Sequence, residues 1–253
     1  MASTPQRIAI ITGASNGIGE ATARRFVAQG YGVVGNARSA DKLAALQEEL
    51  GKLFCAAPGD ASDKATITAL FTQAEDAFGS EPDIVVVNAG TGLSGSVKEA
   101  DLEKFRTIWQ LNVEGAALLM QEAAQRMVKK QAQDFPQKAA DIVVLGSVAG
   151  NNISLFSAVY GSTKFALHAL AEALRRDVGP QGVRVSTIAP GFVRSGFQHA
   201  AGYTDEMVDD FIERLGPFLV GDDIADAIAH LVALPAHVNV SEITIRPTRQ
   251  DYP

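Results

Sequence analysis

The stretch Arg7-Ile8-Ala9-Ile10-Ile11-Thr12-Gly13-Ala14-Ser15-Asn16-Gly17-Ile18-Gly19 decides the fold class. Residues 8–11 are an uninterrupted apolar run, too short and too β-branched for a helix, and a strand of that kind is buried on both faces. Glycines follow at positions 13, 17 and 19, and a helical pattern opens at Glu20. A strand buried on both faces that turns through glycines into a helix is the first half of a βαβ unit, which predicts a parallel sheet between helical layers.

The same alternation continues along the chain. Short β-rich runs lie at 7–12, 32–37, 53–57, 83–88, 141–147, 183–189 and 242–246, which gives seven expected strands. Helices are expected between them, starting behind Ser39, Asp63 and Asp101, residue types that cap helix amino ends. The stretch behind Asp101 reads as one long helix to Lys130, and the polar segment 129–140, broken by Pro136, reads as an extended surface loop. No internal repeat or linker interrupts the pattern. The expected fold is therefore α/β: a single-domain, doubly wound parallel sheet of the Rossmann-like type, spanning 1–253.

Composition narrows the function classes. The 253 residues are 47% hydrophobic and 20% charged, with a formal net charge of -7. That balance argues against broad affinity for nucleic acid or anionic membranes, both of which need a clustered basic face. Cys55 is the only cysteine, so no internal disulfide can form, a usage that fits a reducing compartment. The amino end carries no apolar signal core and no run approaches membrane-spanning length, so the expected location is cytoplasmic.

Three segments carry the chemistry. In the first, glycines at a strand-to-helix turn let the backbone approach a pyrophosphate, and the free amides at the helix start supply donors; an unliganded glycine turn is the alternative. The second is Tyr160-Gly161-Ser162-Thr163-Lys164 at a helix start. Residues four apart share a face, so the lysine ammonium is expected close to the phenol. A cation about 4 Å away at an effective dielectric near 20 is worth roughly 4 kcal/mol, about three pKa units, enough to turn a phenol of pKa about 10 into a usable acid and base. A surface pair is the alternative. The third is Ser147, at the carboxyl end of the fifth strand, where the ligand crevice of an open parallel sheet lies.

Taken together, Thr12-Gly13-x-x-x-Gly17-x-Gly19, Asn88-Ala89-Gly90, Asn112, Ser147 and Tyr160-x-x-x-Lys164 resemble, in order and spacing, the short-chain dehydrogenase/reductase family over nearly the whole chain. The resemblance implies a hydride transfer between a nicotinamide dinucleotide and a carbonyl or alcohol carbon. Tyr160 would exchange the proton, Ser147 would hydrogen-bond the reacting oxygen, and Lys164 would hold the nicotinamide ribose and lower the Tyr160 pKa. Asn112 would support a water linking Lys164 to solvent, although a helix-bending polar residue is equally readable there.

For the cofactor, the resemblance points to Gly13, Ser15, Asn16, Gly17, Ile18 and Gly19 in the first turn, and to Asn88, Ala89 and Gly90 after the fourth strand. Val87-Asn88 departs from the family's usual pair of asparagines. Asp60 and Ala61 would contact the adenine, with a turn carboxylate as the alternative for Asp60. Pro190, Gly191, Val193 and Ser195 would close over the nicotinamide amide. At the end of the second strand, Ala37 stands where an NAD-selective site places a carboxylate, and Arg38 and Ser39 follow; with Arg38 available for a 2′-phosphate, the expected cofactor is NADP(H), with a solvated loop cation at a site open to either cofactor as the alternative.

The segment 192–220 would cap the substrate. It contains Phe197, Tyr203, Phe211 and Phe218, which suit an apolar carbonyl compound, and Arg194, which suits an acid group. His168 shares a helical face with Lys164, yet no His, Cys, Asp or Glu stands at metal-ligand spacing, so no metal is assigned. A hydrolase lacks its nucleophile elbow, and a sugar epimerase or dehydratase of the extended fold would need a longer substrate domain. A non-catalytic dinucleotide sensor on the same fold remains the alternative to an enzyme. The expected partners are a small-molecule substrate and further copies of the chain, as a tetramer; the apolar run Ala116-Ala117-Leu118-Leu119-Met120 is the residue-level reason.

Overall fold

A computed structural model describes residues 5–155 and 157–252. Seven strands form one parallel sheet in the order β3-β2-β1-β4-β5-β6-β7. They span β1 Ile8–Thr12, β2 Gly32–Ala37, β3 Phe54–Pro58, β4 Ile84–Val87, β5 Ala140–Leu145, β6 Val183–Pro190 and β7 Glu242–Ile245. The seven expected strands are all present, with ends shifted by one or two residues. The chain winds outward from β1 to β3, returns to pair β4 with β1, and winds outward again to β7. Neighbouring β1 and β4 thus lead away in opposite directions, and the crevice at such a reversal is where open α/β sheets bind ligands.

Alternate residues of β1 feed two separate cores. Ile8 and Ile10 pack with Phe71, Leu119, Met127 and Leu167, which belong to α3 Lys64–Phe78, α5 Ala116–Asp134 and α6 Ala158–Val178. Ala9 and Ile11 pack with Phe26, Leu43, Leu46, Ile224 and Ile228, from α1 Gly17–Ala28, α2 Ala40–Leu50 and α9 Gly221–Ala233. Strand pleating, which sends successive side chains to opposite faces, therefore builds both halves of the three-layer sandwich.

Two capping readings are seen directly. Asp63 accepts from Thr66 N at 2.9 Å, and Asp101 accepts from Glu103 N and Lys104 N, each at 3.1 Å. Ser39 occupies the cap position of α2 without a side-chain hydrogen bond. The helix behind Asp101 divides into α4 Leu102–Trp109, a π-helical stretch Gln110–Gly115 and α5.

The expected loop over 129–140 is corrected. Helix α5 runs on to Asp134, because Lys129, Lys130, Gln131 and Ala132 are good helix formers and Gln131 is buried. The helix ends at Phe135, whose extended backbone is what a following proline imposes.

The apolar run at the start of α5 also has an internal explanation. Ala116, Leu119 and Met120 are buried in this chain's own core, so they give no reason to expect a partner subunit.

At the amino end of the sheet, far from the crevice, Asp141 is bound bidentately by Arg184, at 2.7 and 2.9 Å, and by Arg7 at 2.7 Å. Asp141 and Arg184 are both buried, and Arg184 also donates to the carbonyls of Leu234, Pro235 and Val238. The remaining guanidinium donors are thereby used to tie β5 and β6 to the end of α9.

Candidate active site

A cleft of about 350 Å³ opens at the carboxyl ends of the strands. Its floor at one end is the turn after β1. Gly13 and Gly17 have φ of 71° and 54°, a region that favours glycine. A Cβ on Gly13 would stand 2.7 Å from Asn88 Nδ2, and one on Gly19 would stand 2.3 Å from Gly13 O. The turn is therefore pressed against the end of β4 with no room for side chains. Asn88 holds that contact, donating to Thr12 O at 2.7 Å, while Thr12 Oγ1 accepts from Asn88 N and Ala89 N at 3.1 Å each. Gly13, Asn16, Gly17 and Ile18 line the cleft, as do Asn88, Ala89 and Gly90 opposite them. Ser15 and Gly19 shape the turn without lining it.

At the tip of β2, Arg38 lines the cleft. Ala37 is buried beneath it and Ser39 is exposed. Asn36 does not face a ligand: its amide donates to Ala57 O and Gly59 O at 2.9 and 3.2 Å. Asp60 and Ala61 also lie outside the lining. The Asp60 carboxylate accepts from Ser62 N and Ser62 Oγ at 2.8 and 2.7 Å, and those two bonds hold its pKa below the ordinary value, with Arg38 adding a smaller pull. The turn-carboxylate reading describes that geometry.

The reactive end is built by β5 and α6. Strand β5 stops at Leu145, which frees Gly146 and Ser147 to turn into the cleft. Ser147 Oγ accepts from Ala149 N at 3.1 Å and lies beside the Tyr160 phenol. Tyr160 packs on Phe197, with ring centroids 5.3 Å apart. Lys164, one turn along α6, is 5% exposed and donates from Nζ to Leu145 O at 2.7 Å.

The expected lowering of the Tyr160 pKa by Lys164 is not what this arrangement produces. Lys164 Nζ stands 5.8 Å from the Tyr160 ring centre and is committed to a backbone carbonyl. Burial pushes the phenol above its ordinary value, with Ser147 easing it and Tyr203 adding to it. Burial likewise pulls Lys164 down to about 8. Both shifts have the same cause: a site shielded from water penalises each charged form.

Asn112 sits in the π-helical stretch, a feature common at functional sites. It does not reach the cleft surface. It donates to Thr91 O and Thr163 Oγ1 at 2.8 and 3.1 Å and accepts from Thr91 N at 3.0 Å. It therefore fastens the loop after β4 to α6, directly behind Gly90 and Lys164.

The far wall follows β6. Pro190, Gly191, Val193 and Ser195 line the cleft, and a Cβ on Gly17 would touch Ser195 Cβ at 3.3 Å. The segment 192–220 is pinched at its base, where Arg194 N donates to Leu219 O at 2.7 Å and Leu219 N to Phe192 O at 3.1 Å. It carries the short helix α7 Phe197–Ala200 and α8 Asp205–Leu215. Phe192 packs against Phe211 and Phe218, with ring centres 4.8 and 5.3 Å apart. Arg194 is exposed and outside the lining.

Sequence reasoning missed two contributors. Gln198, buried in α7, lines the cleft and donates to Val193 O at 2.7 Å. Gln250, near the carboxyl end, is buried, lines the cleft, and accepts from Phe192 N at 2.9 Å. Gly191 makes room for it, since a Cβ there would meet Gln250 Oε1 at 2.2 Å.

The model of the short chain dehydrogenase family matches residues 7–206, which includes every element from β1 to α7. This chain is a short-chain dehydrogenase/reductase. Like the family, it is an oxidoreductase on a Rossmann-like sheet. An uncharacterised oxidoreductase of Staphylococcus epidermidis is 33% identical over 247 residues, covering 98% of this chain and all of that one. Among solved structures, a closed serine dehydrogenase complexed with NADP+ superposes with a TM-score of 0.88 at 29% identity, over 97% of this dehydrogenase and 96% of that chain. A 3-ketoacyl-(acyl-carrier-protein) reductase from Brucella melitensis, complexed with NADH, superposes with a TM-score of 0.87 at 26% identity, over 98% and 99%.

Among the described residues of this short-chain dehydrogenase, no group of three or more His, Cys, Asp or Glu could hold a metal. No described helix is long and apolar enough to cross a membrane.

Proposed function

We propose that this protein interconverts a carbonyl compound and its alcohol using NADP(H), with Ser147, Tyr160 and Lys164 as the reacting set. The carrying observation is that Ser147 and Tyr160 stand side by side, with buried Lys164 one helical turn away, in the cleft whose opposite end is the glycine turn after β1. When bound, the nicotinamide supplies or takes up the hydride. The cradle fits such a dinucleotide: Gly13 and Gly17 adopt left-handed backbone, and a Cβ on Gly13 or Gly19 would collide with its surroundings. The amides of the turn and of the α1 amino end would hold the pyrophosphate. The wall at Pro190, Gly191, Val193 and Ser195 would flank the nicotinamide, and Arg38 would meet a 2′-phosphate.

The chain's own groups handle the proton. A phenol whose pKa is raised by burial stays protonated at neutral pH, so Tyr160 Oη gives its proton to the carbonyl oxygen as that oxygen gains charge, while Ser147 Oγ hydrogen-bonds the same oxygen and orients it. In oxidation Tyr160 takes the proton back. Lys164 supplies positive charge near the developing phenolate, and Asn112 keeps the Thr91 loop and α6 in register behind it. The segment 192–220 covers the substrate, and Phe192, Phe197 and Tyr203 give it an aromatic lining. With Arg194 turned outward, that lining favours an apolar ketone, aldehyde or alcohol over an acid.

The family resemblance also supports a homo-oligomer, for which sedimentation is the direct measurement. The activity is tested by incubating purified protein with NADPH and a panel of aryl and alkyl ketones and aldehydes, read by loss of nicotinamide absorbance. Turnover of at least one panel member is expected; cofactor binding without turnover of any would favour the sensor reading.

A further inference from the structure

Helix α6 grips the end of β5 at two points, and only one of them belongs to the reacting set above. Lys164 Nζ donates to Leu145 O at 2.7 Å. One turn further, His168 Nε2 accepts from Ser147 N at 3.2 Å. The carbonyl before Gly146 and the amide after it are thus held by side chains four residues apart on one helical face, a spacing that brings both to the same side. Gly146 is the residue that allows the grip: a Cβ there would lie 1.9 Å from His168 Nε2. Gly150 closes the other side of the ring, since a Cβ there would lie 2.7 Å from it. The two glycines around Ser147 form a slot fitted to an imidazole.

The acceptor role of Nε2 is fixed by a relay of partners. Glu242 on β7 is a carboxylate that only accepts, so Asn151 must point its Nδ2 toward it, at 2.6 Å. That leaves Asn151 Oδ1 facing His168 Nδ1 at 2.9 Å. An amide oxygen only accepts, so Nδ1 carries the proton and Nε2 keeps its lone pair for Ser147 N. A doubly protonated ring would have no lone pair there. Burial pulls the His168 pKa below its ordinary value, with Lys164 on the same helix pushing the same way and Glu242 opposing, so the ring is neutral at physiological pH.

We propose that His168 is a positioning residue for the reaction: its Nε2 holds the Ser147 backbone so that the Ser147 hydroxyl and the Tyr160 phenol, carried on different elements, meet the same substrate oxygen. This rests on the oxidoreductase reading above. Losing the acceptor frees the Ser147 turn, and a small displacement of an orienting group costs about ten- to a hundredfold in rate.

The test compares His168→Gln, which keeps an acceptor at similar reach, with His168→Met, which has similar length but only a weak acceptor. We expect His168→Met to lower kcat about tenfold or more with the KM for NADPH little changed, and His168→Gln to restore most of the loss. In a Ser147→Ala background the same His168→Met change should cost little, because there is no hydroxyl left to position. Amide hydrogen exchange at Ser147 should be slow in the wild type and in His168→Gln and fast in His168→Met. Equal kcat for the two His168 variants, or an undiminished His168→Met penalty in the Ser147→Ala background, would overturn the proposal while leaving the reductase reading intact. Unchanged Ser147 exchange in His168→Met would overturn it whether or not a turned-over substrate is found. A wild type inactive on every carbonyl compound, with Ser147 exchange behaving as expected, would instead overturn the reductase reading and with it the catalytic role of the contact.

Discussion

Replacing Arg38 by alanine should move this enzyme's cofactor preference from NADPH toward NADH. Arg38 lines the cleft at the tip of β2, and Ala37, buried beneath it, brings no carboxylate to repel a 2′-phosphate. A charge-assisted hydrogen bond is worth about 1.5–3 kcal/mol, and about 1.4 kcal/mol is tenfold in affinity. Arg38 is exposed, so water and salt screen it and the lower half of that range applies, roughly 10- to 30-fold. Part of its charge is also answered by Asp60, which feels Arg38 as a pull on its pKa. The assay is kcat/KM with each cofactor at low ionic strength. Arg38→Ala should lower the NADPH value by that factor and leave NADH within about twofold. Ala37→Asp should lower NADPH use further by placing a carboxylate against the phosphate, and raise NADH use by accepting from the ribose hydroxyls. The NADPH advantage of the wild type should shrink as salt rises. A wild type that prefers NADH, or an Arg38→Ala ratio equal to the wild type's, would refute the reasoning.

Asp141→Asn should destabilise the fold without touching the site, because it leaves the buried Arg184 guanidinium without its counter-charge. Breaking one side of such a pair costs about 3–5 kcal/mol, to be measured by urea unfolding at pH 7; a loss under about 1 kcal/mol would contradict the account. Lys164→Met should do the opposite, abolishing most turnover while raising stability at neutral pH. With the Lys164 pKa lowered from 10.5 to about 8 in the folded state, the unfolded chain binds the extra proton between those values, so wild-type stability should rise with pH across about 8 to 10.5. The penalty is fully present below pH 8, on the order of 3 kcal/mol, and the methionine variant should lack that rise. Identical pH profiles for the two proteins, from thermal unfolding, would show that Lys164 is not held in a penalised charged form.

The sheet was legible because its interior strands are short and buried on both faces, and wholly apolar runs such as Ile8 to Ile11 or Ile84 to Val87 admit few other readings. Helix starts were legible where a side chain performs the cap, as at Asp63 and Asp101. The end of α5 was not, because Lys129 to Asp134 are polar enough for a loop and yet include good helix formers, and the burial of Gln131 decides between the two. The position of Ser147 beside Tyr160 followed from strand-end topology. The sign of the Tyr160 shift did not, since spacing along a helix says nothing about whether Lys164 spends its proton on a phenol or on the carbonyl of Leu145. Gln250 and His168 were out of reach for a related reason: each acts through a backbone amide distant in sequence, and the only trace is the small residue, Gly191 or Gly146, that makes room for it.

The central claim is that Tyr160 delivers the proton in an NADPH-dependent carbonyl reduction. Its most direct test is single-turnover reduction by the wild type and by Tyr160→Phe, with NADPH binding measured in parallel by fluorescence. The phenylalanine variant keeps the ring that packs on Phe197 and removes only the hydroxyl. The account predicts unchanged fold and cofactor affinity with a hydride-transfer rate reduced about a hundredfold or more; a Tyr160→Phe rate within a few-fold of the wild type would contradict it.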